Sequence, residues 1–134
     1  MAKSATYPFN IHREEDVHPE MQNRQFSIQA PVGDLDGYYE LFDEYGFGGN
    51  GPSWAEHIRF ILEEKDEELD EHLEYDEEGD TFLVYADSQV AVNRFLKHIL
   101  PVFGTKKSLK KYLKQADPDN FSEWLSFKTD KGPL

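Results

Sequence analysis

The feature that most constrains this chain is the segregation of its charge. Between Asp34 and Asp80 there are 18 acidic residues and only two bases, Arg59 and Lys65, and residues 63–80 alone hold 12 acids to one lysine. The sign then reverses, for Gln89 to Ala116 contains seven bases and no acid. Charged side chains resist burial unless they are paired. Each segment must therefore fold with one wet face and bury the apolar residues threaded through it. Either the basic helices lie against the acidic segment and partly neutralise it, or two exposed patches of opposite sign persist.

The size fits one domain: 134 residues, with a formal charge of −13. The hydrophobic content of 38%, with ten Phe, seven Tyr and two Trp, is enough for a packed core, so this reads as an acidic globular protein and not a disordered tail. Such a charge repels phosphate backbones and anionic membranes, and neither nucleic acid nor membrane is expected as a direct partner. The absence of cysteine excludes disulfides, thiolate nucleophiles and Cys-ligated metal. Residues 1–10 lack the apolar stretch of a signal peptide, and no run approaches the ~20 residues of a spanning helix. The expectation is a cytoplasmic protein.

Periodicity predicts the elements. Residues 7–11 and 24–30 alternate apolar and polar side chains, as half-buried strands do, with Phe26 and Ile28 on one face and a polar loop, residues 12–23, between them. Asp34 to Tyr45 has Leu35, Tyr38, Tyr39 and Phe42 at helical spacing but reads best as mixed or irregular structure. Gly46-Phe47-Gly48-Gly49-Asn50-Gly51-Pro52 is a turn-rich loop, and Ser53-Trp54-Ala55-Glu56 fits a capping box. Trp54, Ile58, Ile61 and Leu62 then make one apolar stripe, with Glu63 to Asp70 at its solvated end. Residues 71–75 and 81–86 predict a hairpin in which Gly79 supplies a positive φ. Asp87 or Ser88 caps a helix carrying Val92, Phe95, Leu96 and Ile99, which Pro101 is expected to stop. Thr105 to Ala116 is a basic helix with Leu109, Tyr112 and Leu113 on one side; Asp117-Pro118-Asp119-Asn120 precedes a cluster of Phe121, Trp124 and Leu125, and the last few residues read as loose. The fold class is α+β: a small antiparallel sheet, including the hairpin near residues 71–86, packed against two or three helices.

Motifs for catalysis are missing. The glycine loop lacks the Gly-Lys-Ser/Thr of a phosphate-binding loop and reads as a tight turn. Asp34-Leu35-Asp36-Gly37 opens like a calcium loop, but Tyr38 and Tyr39 stand where a ligand and a glycine are needed. The carboxylates of residues 63–80 form a solvated face, which does not push paired pKa values apart. His12, His18, His57, His72 and His98 show no metal-binding spacing and read as core-edge or surface residues. No catalytic residue, metal or cofactor is assigned. What remains is binding, by acids interspersed with amphipathic aromatics. The candidate contact set is Asp34, Asp36, Tyr38, Tyr39, Asp43, Glu44, Tyr45, Asn50, Glu63, Glu64, Glu67, Glu68 and Asp70; the aromatics Tyr38, Tyr39, Tyr45 and Phe47 are either core or in part exposed on the loop, and Trp54, heading the apolar stripe, reads as core.

The stretch Gly46 to Trp54, followed about twenty residues later by Glu74-Tyr75-Asp76-Glu77-Glu78-Gly79-Asp80-Thr81-Phe82, resembles the immunity protein 51 family of bacterial polymorphic toxin systems. The resemblance spans residues 37–100, and Gly48, Asn50, Trp54, Asp76 and Glu78 match its pattern, each with a structural explanation in turn or helix-start geometry. Pro52 replaces a bulkier residue, and the basic tail from Lys106 is not part of the pattern. The resemblance implies a small α+β protein that binds and neutralises a cognate toxin domain. Many such toxins are nucleases with basic surfaces, which an acidic inhibitor occupies as a nucleic-acid mimic. The alternative is a non-enzymatic acidic adaptor whose basic helix, residues 105–116, docks an acidic partner.

Overall fold

A computed structural model describes residues 5–14 and 24–116 of the chain. Most of the loop read at 12–23, the cluster of Phe121, Trp124 and Leu125, and the final residues lie outside the described part. Strand β1 (Asn10–Arg13) pairs antiparallel with β2 (Phe26–Ala30). The strand predicted at residues 7–11 starts later than expected, because Tyr7 and Pro8 lie in a turn and Pro8 has no N–H to give a ladder. The predicted hairpin forms from β3 (Leu73–Tyr75) and β4 (Phe82–Ala86), and the antiparallel sheet has the order β1-β2-β4-β3. In β4 the side chains of Phe82, Val84 and Ala86 are buried, and their cross-strand partners Ala30, Ile28 and Phe26 share that face.

Helices cover this face. Four α-helices and one 3₁₀ segment are present among the described residues, against the two or three helices expected. Helix α1 (Tyr38–Glu44) forms where mixed or irregular structure was predicted, since Gly37, at φ 79°, starts it and Tyr38 and Phe42 are both buried. Helix α2 (Gly51–Lys65) buries Trp54, Ile58, Ile61 and Leu62 as its periodicity requires. It begins earlier than the capping box suggested: Asn50, not Ser53, is the cap, its side-chain oxygen accepting the Ser53 N–H at 2.9 Å. Pro52 then falls in the first turn, where a missing N–H costs nothing.

Glu67–His72 is a 3₁₀ segment anchored by Leu69, which is fully buried. Helix α3 (Gln89–Phe103) is capped by Ser88, whose hydroxyl accepts the Ala91 N–H, and it runs through Pro101 instead of stopping there. Pro101 is exposed in the last turn, whereas Phe103 beyond it is fully buried and its carbonyl accepts the Tyr38 hydroxyl at 2.8 Å. That packing, with a C-terminal carbonyl satisfied, outweighs the hydrogen bond that proline forgoes. Helix α4 (Lys106–Gln115) is capped by Thr105 and buries Leu109 and Leu113. Aromatic rings fill the centre: Trp54 lies 4.8 Å from Phe103 and 6.4 Å from Phe82, and Phe9 lies 5.4 Å from Phe95.

Candidate functional site

The C-terminal end of α2 and the 3₁₀ segment bring carboxylates together. Glu63, Glu67, Glu68, Asp70 and Glu71 line an open concavity of about 860 Å³. The 3₁₀ segment turns its acids outward because Leu69 is buried between them. Both of its ends are held. At the start, Asp66 accepts two hydrogen bonds from the Arg94 guanidinium of α3 and lies 3.5 Å from His98. The Arg94 hydrogen bonds hold the Asp66 carboxyl below its ordinary range. At the end, His72 Nδ1 lies 2.7 Å from Asp87, a hydrogen bond that raises the His72 pKa.

Only part of the predicted contact set meets here. Glu63, Glu67, Glu68 and Asp70 share the concavity with Glu71, which periodicity did not single out; Glu64 is exposed on α2 but does not line it. Asp34, Asp36, Asp43 and Glu44 are exposed on and before α1, and Asp36 pairs with Lys106 at 3.0 Å. Tyr39 is 54% exposed, while Tyr45 is half-buried. Tyr38 is a correction: it is fully buried, its hydroxyl bonded inside the fold and its pKa pushed up by burial, so it offers nothing to a partner. Phe47, left open between core and loop surface, is buried against the His57 ring at 4.7 Å.

The motif residues have structural work. Gly46, at φ 84°, permits the turn after α1, and a Cβ at Gly49 would press on the Tyr39 ring at 2.8 Å. Gly48 is half-buried in the same loop, Asn50 caps α2, and Trp54 is core. Asp76 and Glu78 give backbone N–H groups to Leu83 and Thr81 at 2.9 and 2.8 Å, closing the hairpin. The glycine loop and the hairpin tip touch each other: the Gly51 N–H bonds the Gly79 carbonyl at 3.1 Å. Gly79 itself does not have the positive φ expected of it, because the Glu78–Thr81 bridge closes the tip without a left-handed residue there.

Three features were decided only by the packed fold. Arg59 stacks on the Tyr75 ring, its guanidinium carbon 4.1 Å from the centroid. His57, expected at a core edge or the surface, is 2% exposed, with Nδ1 2.8 Å from the Tyr112 hydroxyl, and burial lowers its pKa to about 3. The charge segregation resolves as a mixture of the two arrangements: Lys106 and Arg94 pair with Asp36 and Asp66, while Lys107, Lys110, Lys111 and Lys114 make no ion pair among the described residues. No described helix is long and apolar enough to cross a membrane.

Neither the curated proteins nor the solved structures give a match to this chain. The family model described as Immunity protein 51 matches residues 21–118. That match reaches beyond the motif region at 37–100 and takes in β2 at one end and the basic helix α4 at the other. It covers well over half of the sequence, and the chain belongs to the immunity protein 51 family.

Proposed function

We propose that this immunity protein neutralises a basic toxin domain, a nuclease, by covering its phosphate-binding surface with the carboxylates around the α2 end and the 3₁₀ segment. The observation that carries the reading is the concavity lined by Glu63, Glu67, Glu68, Asp70 and Glu71, five acids from two consecutive elements with no base among them. A nuclease holds phosphate with Lys and Arg, and a fixed array of carboxylates meets the same groups while adding long-range attraction that speeds encounter. The toxin domain whose growth arrest is relieved by co-expression of this chain tests it. Association should slow as salt rises, and a rate indifferent to salt and to reversal of Glu67, Glu68 and Asp70 removes the acidic face from the interface.

Lys107, Lys110, Lys111 and Lys114 of α4, which make no ion pair among the described residues, favour a second reading, an adaptor whose basic helix docks an acidic partner. Deleting α4 is not a usable test, because Leu109 and Leu113 belong to the core. Replacing Lys107, Lys110 and Lys111 by Gln leaves those contacts intact. Loss of partner binding in that variant, with an unaffected acidic face, selects the adaptor.

A further inference from the structure

Arg59 is one of only two bases among the residues from 34 to 80, and the structure gives it an unusual setting. It is exposed on α2, one turn from Glu56 on one side and Glu63 on the other, the i−3 and i+4 spacings at which helical ion pairs form. Yet Arg59 makes no ion pair among the described residues. Its guanidinium carbon lies 4.1 Å from the centroid of the Tyr75 ring, a cation–π contact that holds the side chain over that ring. The Tyr75 hydroxyl and Glu77 Oε1 are buried with no hydrogen-bond partner of ordinary geometry. Burial holds the Tyr75 hydroxyl protonated, and its charge environment includes Arg59, Asp70 and Glu77. Asp70 also lines the acidic concavity, so the stack adjoins it.

Resting on the proposal above, we infer that Arg59, held by Tyr75, is the anchor that receives a carboxylate of the bound toxin. An acidic surface with one cation held on an aromatic ring beside it is the charge inverse of a nuclease centre, in which acids that bind a metal sit within a basic, phosphate-holding surface. Arg and Tyr are also the side chains that most often carry interface energy, and a bidentate guanidinium–carboxylate contact adds direction that lysine lacks. The inhibitor therefore covers the toxin's catalytic carboxylates and not a remote patch.

The sign of one substitution tests this. Arg59→Gln makes the chain more negative, and general attraction to a basic toxin would then tighten binding or leave it unchanged. Anchoring by Arg59 predicts the opposite, a loss on the order of 30-fold that appears in the dissociation rate. Arg59→Lys should recover little of it, and Tyr75→Leu, which removes the stack, should lose part. The probe is the toxin domain whose growth arrest the full-length chain relieves; thermal unfolding of each variant confirms that the fold is kept. In a double-mutant cycle, amide substitution of the toxin's catalytic carboxylates should erase the dependence on Arg59. Unchanged or tighter binding by Arg59→Gln overturns the inference. If reversal of Glu67, Glu68 and Asp70 still slows association in that case, the acidic-face reading survives without it. If neither substitution matters, both fall.

Discussion

The Cα of Gly51 packs so tightly against the Glu78 carbonyl that a Cβ at residue 51 would lie 1.9 Å from that oxygen and 2.6 Å from the carbonyl oxygen of Thr81. The start of α2 and the tip of the β3–β4 hairpin therefore meet backbone to backbone. Two sequence segments about twenty-five residues apart are fitted to one another, which gives the glycine-rich loop and the acidic hairpin a shared structural reason.

Gly51→Ala should cost about 3 kcal/mol, since both opposing atoms are backbone and the clash is relieved only by shifting the hairpin. Gly79→Ala is the control. Nothing lies within 4 Å of its added Cβ and its φ is not positive, so its stability should stay within about 0.5 kcal/mol. Urea unfolding of the two variants makes the comparison, and equal losses would contradict the packing described.

Burial lowers the His57 pKa from the ordinary 6.5 to about 3. The unfolded chain therefore binds a proton that the folded chain refuses between those values, and stability rises with pH across that window. The contribution is complete above pH 6.5 and falls by about 1.4 kcal/mol per pH unit as the solution is acidified toward pH 3. Denaturation at several pH values should show a flatter profile for His57→Gln than for the wild-type chain.

Tyr112→Phe removes the hydroxyl that His57 Nδ1 contacts at 2.8 Å and leaves a buried ring nitrogen without that partner. A loss of about 1–3 kcal/mol follows. Because Tyr112 ties α4 to α2, hydrogen exchange in α4 should rise more than in the sheet.

Tyr38 and Tyr39 are adjacent, with opposite expected behaviour. Tyr38→Phe deletes a buried hydrogen bond to the Phe103 carbonyl and should lower stability by about 1 kcal/mol without changing toxin affinity. Tyr39→Ala, at an exposed position, should leave stability nearly unchanged. Calorimetry and binding kinetics on the pair distinguish fold from interface directly.

Reversal of Glu67, Glu68 and Asp70 to lysine should slow toxin association by about ten-fold at low salt and flatten its salt dependence. The side chains are exposed, so the variant should remain folded. Stopped-flow kinetics at several ionic strengths reads the effect.

Local pattern alone determined much of this protein. The stripe of Trp54, Ile58, Ile61 and Leu62 and the alternation of Phe82, Val84 and Ala86 required a helix and a strand, because each period puts those apolar side chains on one face. The apolar side of α4 and the solvated acids of residues 63–70 were legible for the same reason. Tertiary structure decided what depends on distant neighbours. Tyr38 is core because the Phe103 carbonyl awaits its hydroxyl, and α3 passes Pro101 because Phe103 is buried beyond it. His57 is buried and neutral because Phe47 and Tyr112 close over it, and Arg59 ignores the acids on its own helix because the Tyr75 ring lies beneath it. Periodicity records which side of an element faces inward; only the packed fold specifies which atoms from far along the chain meet it there, and those partners set burial, protonation and pairing.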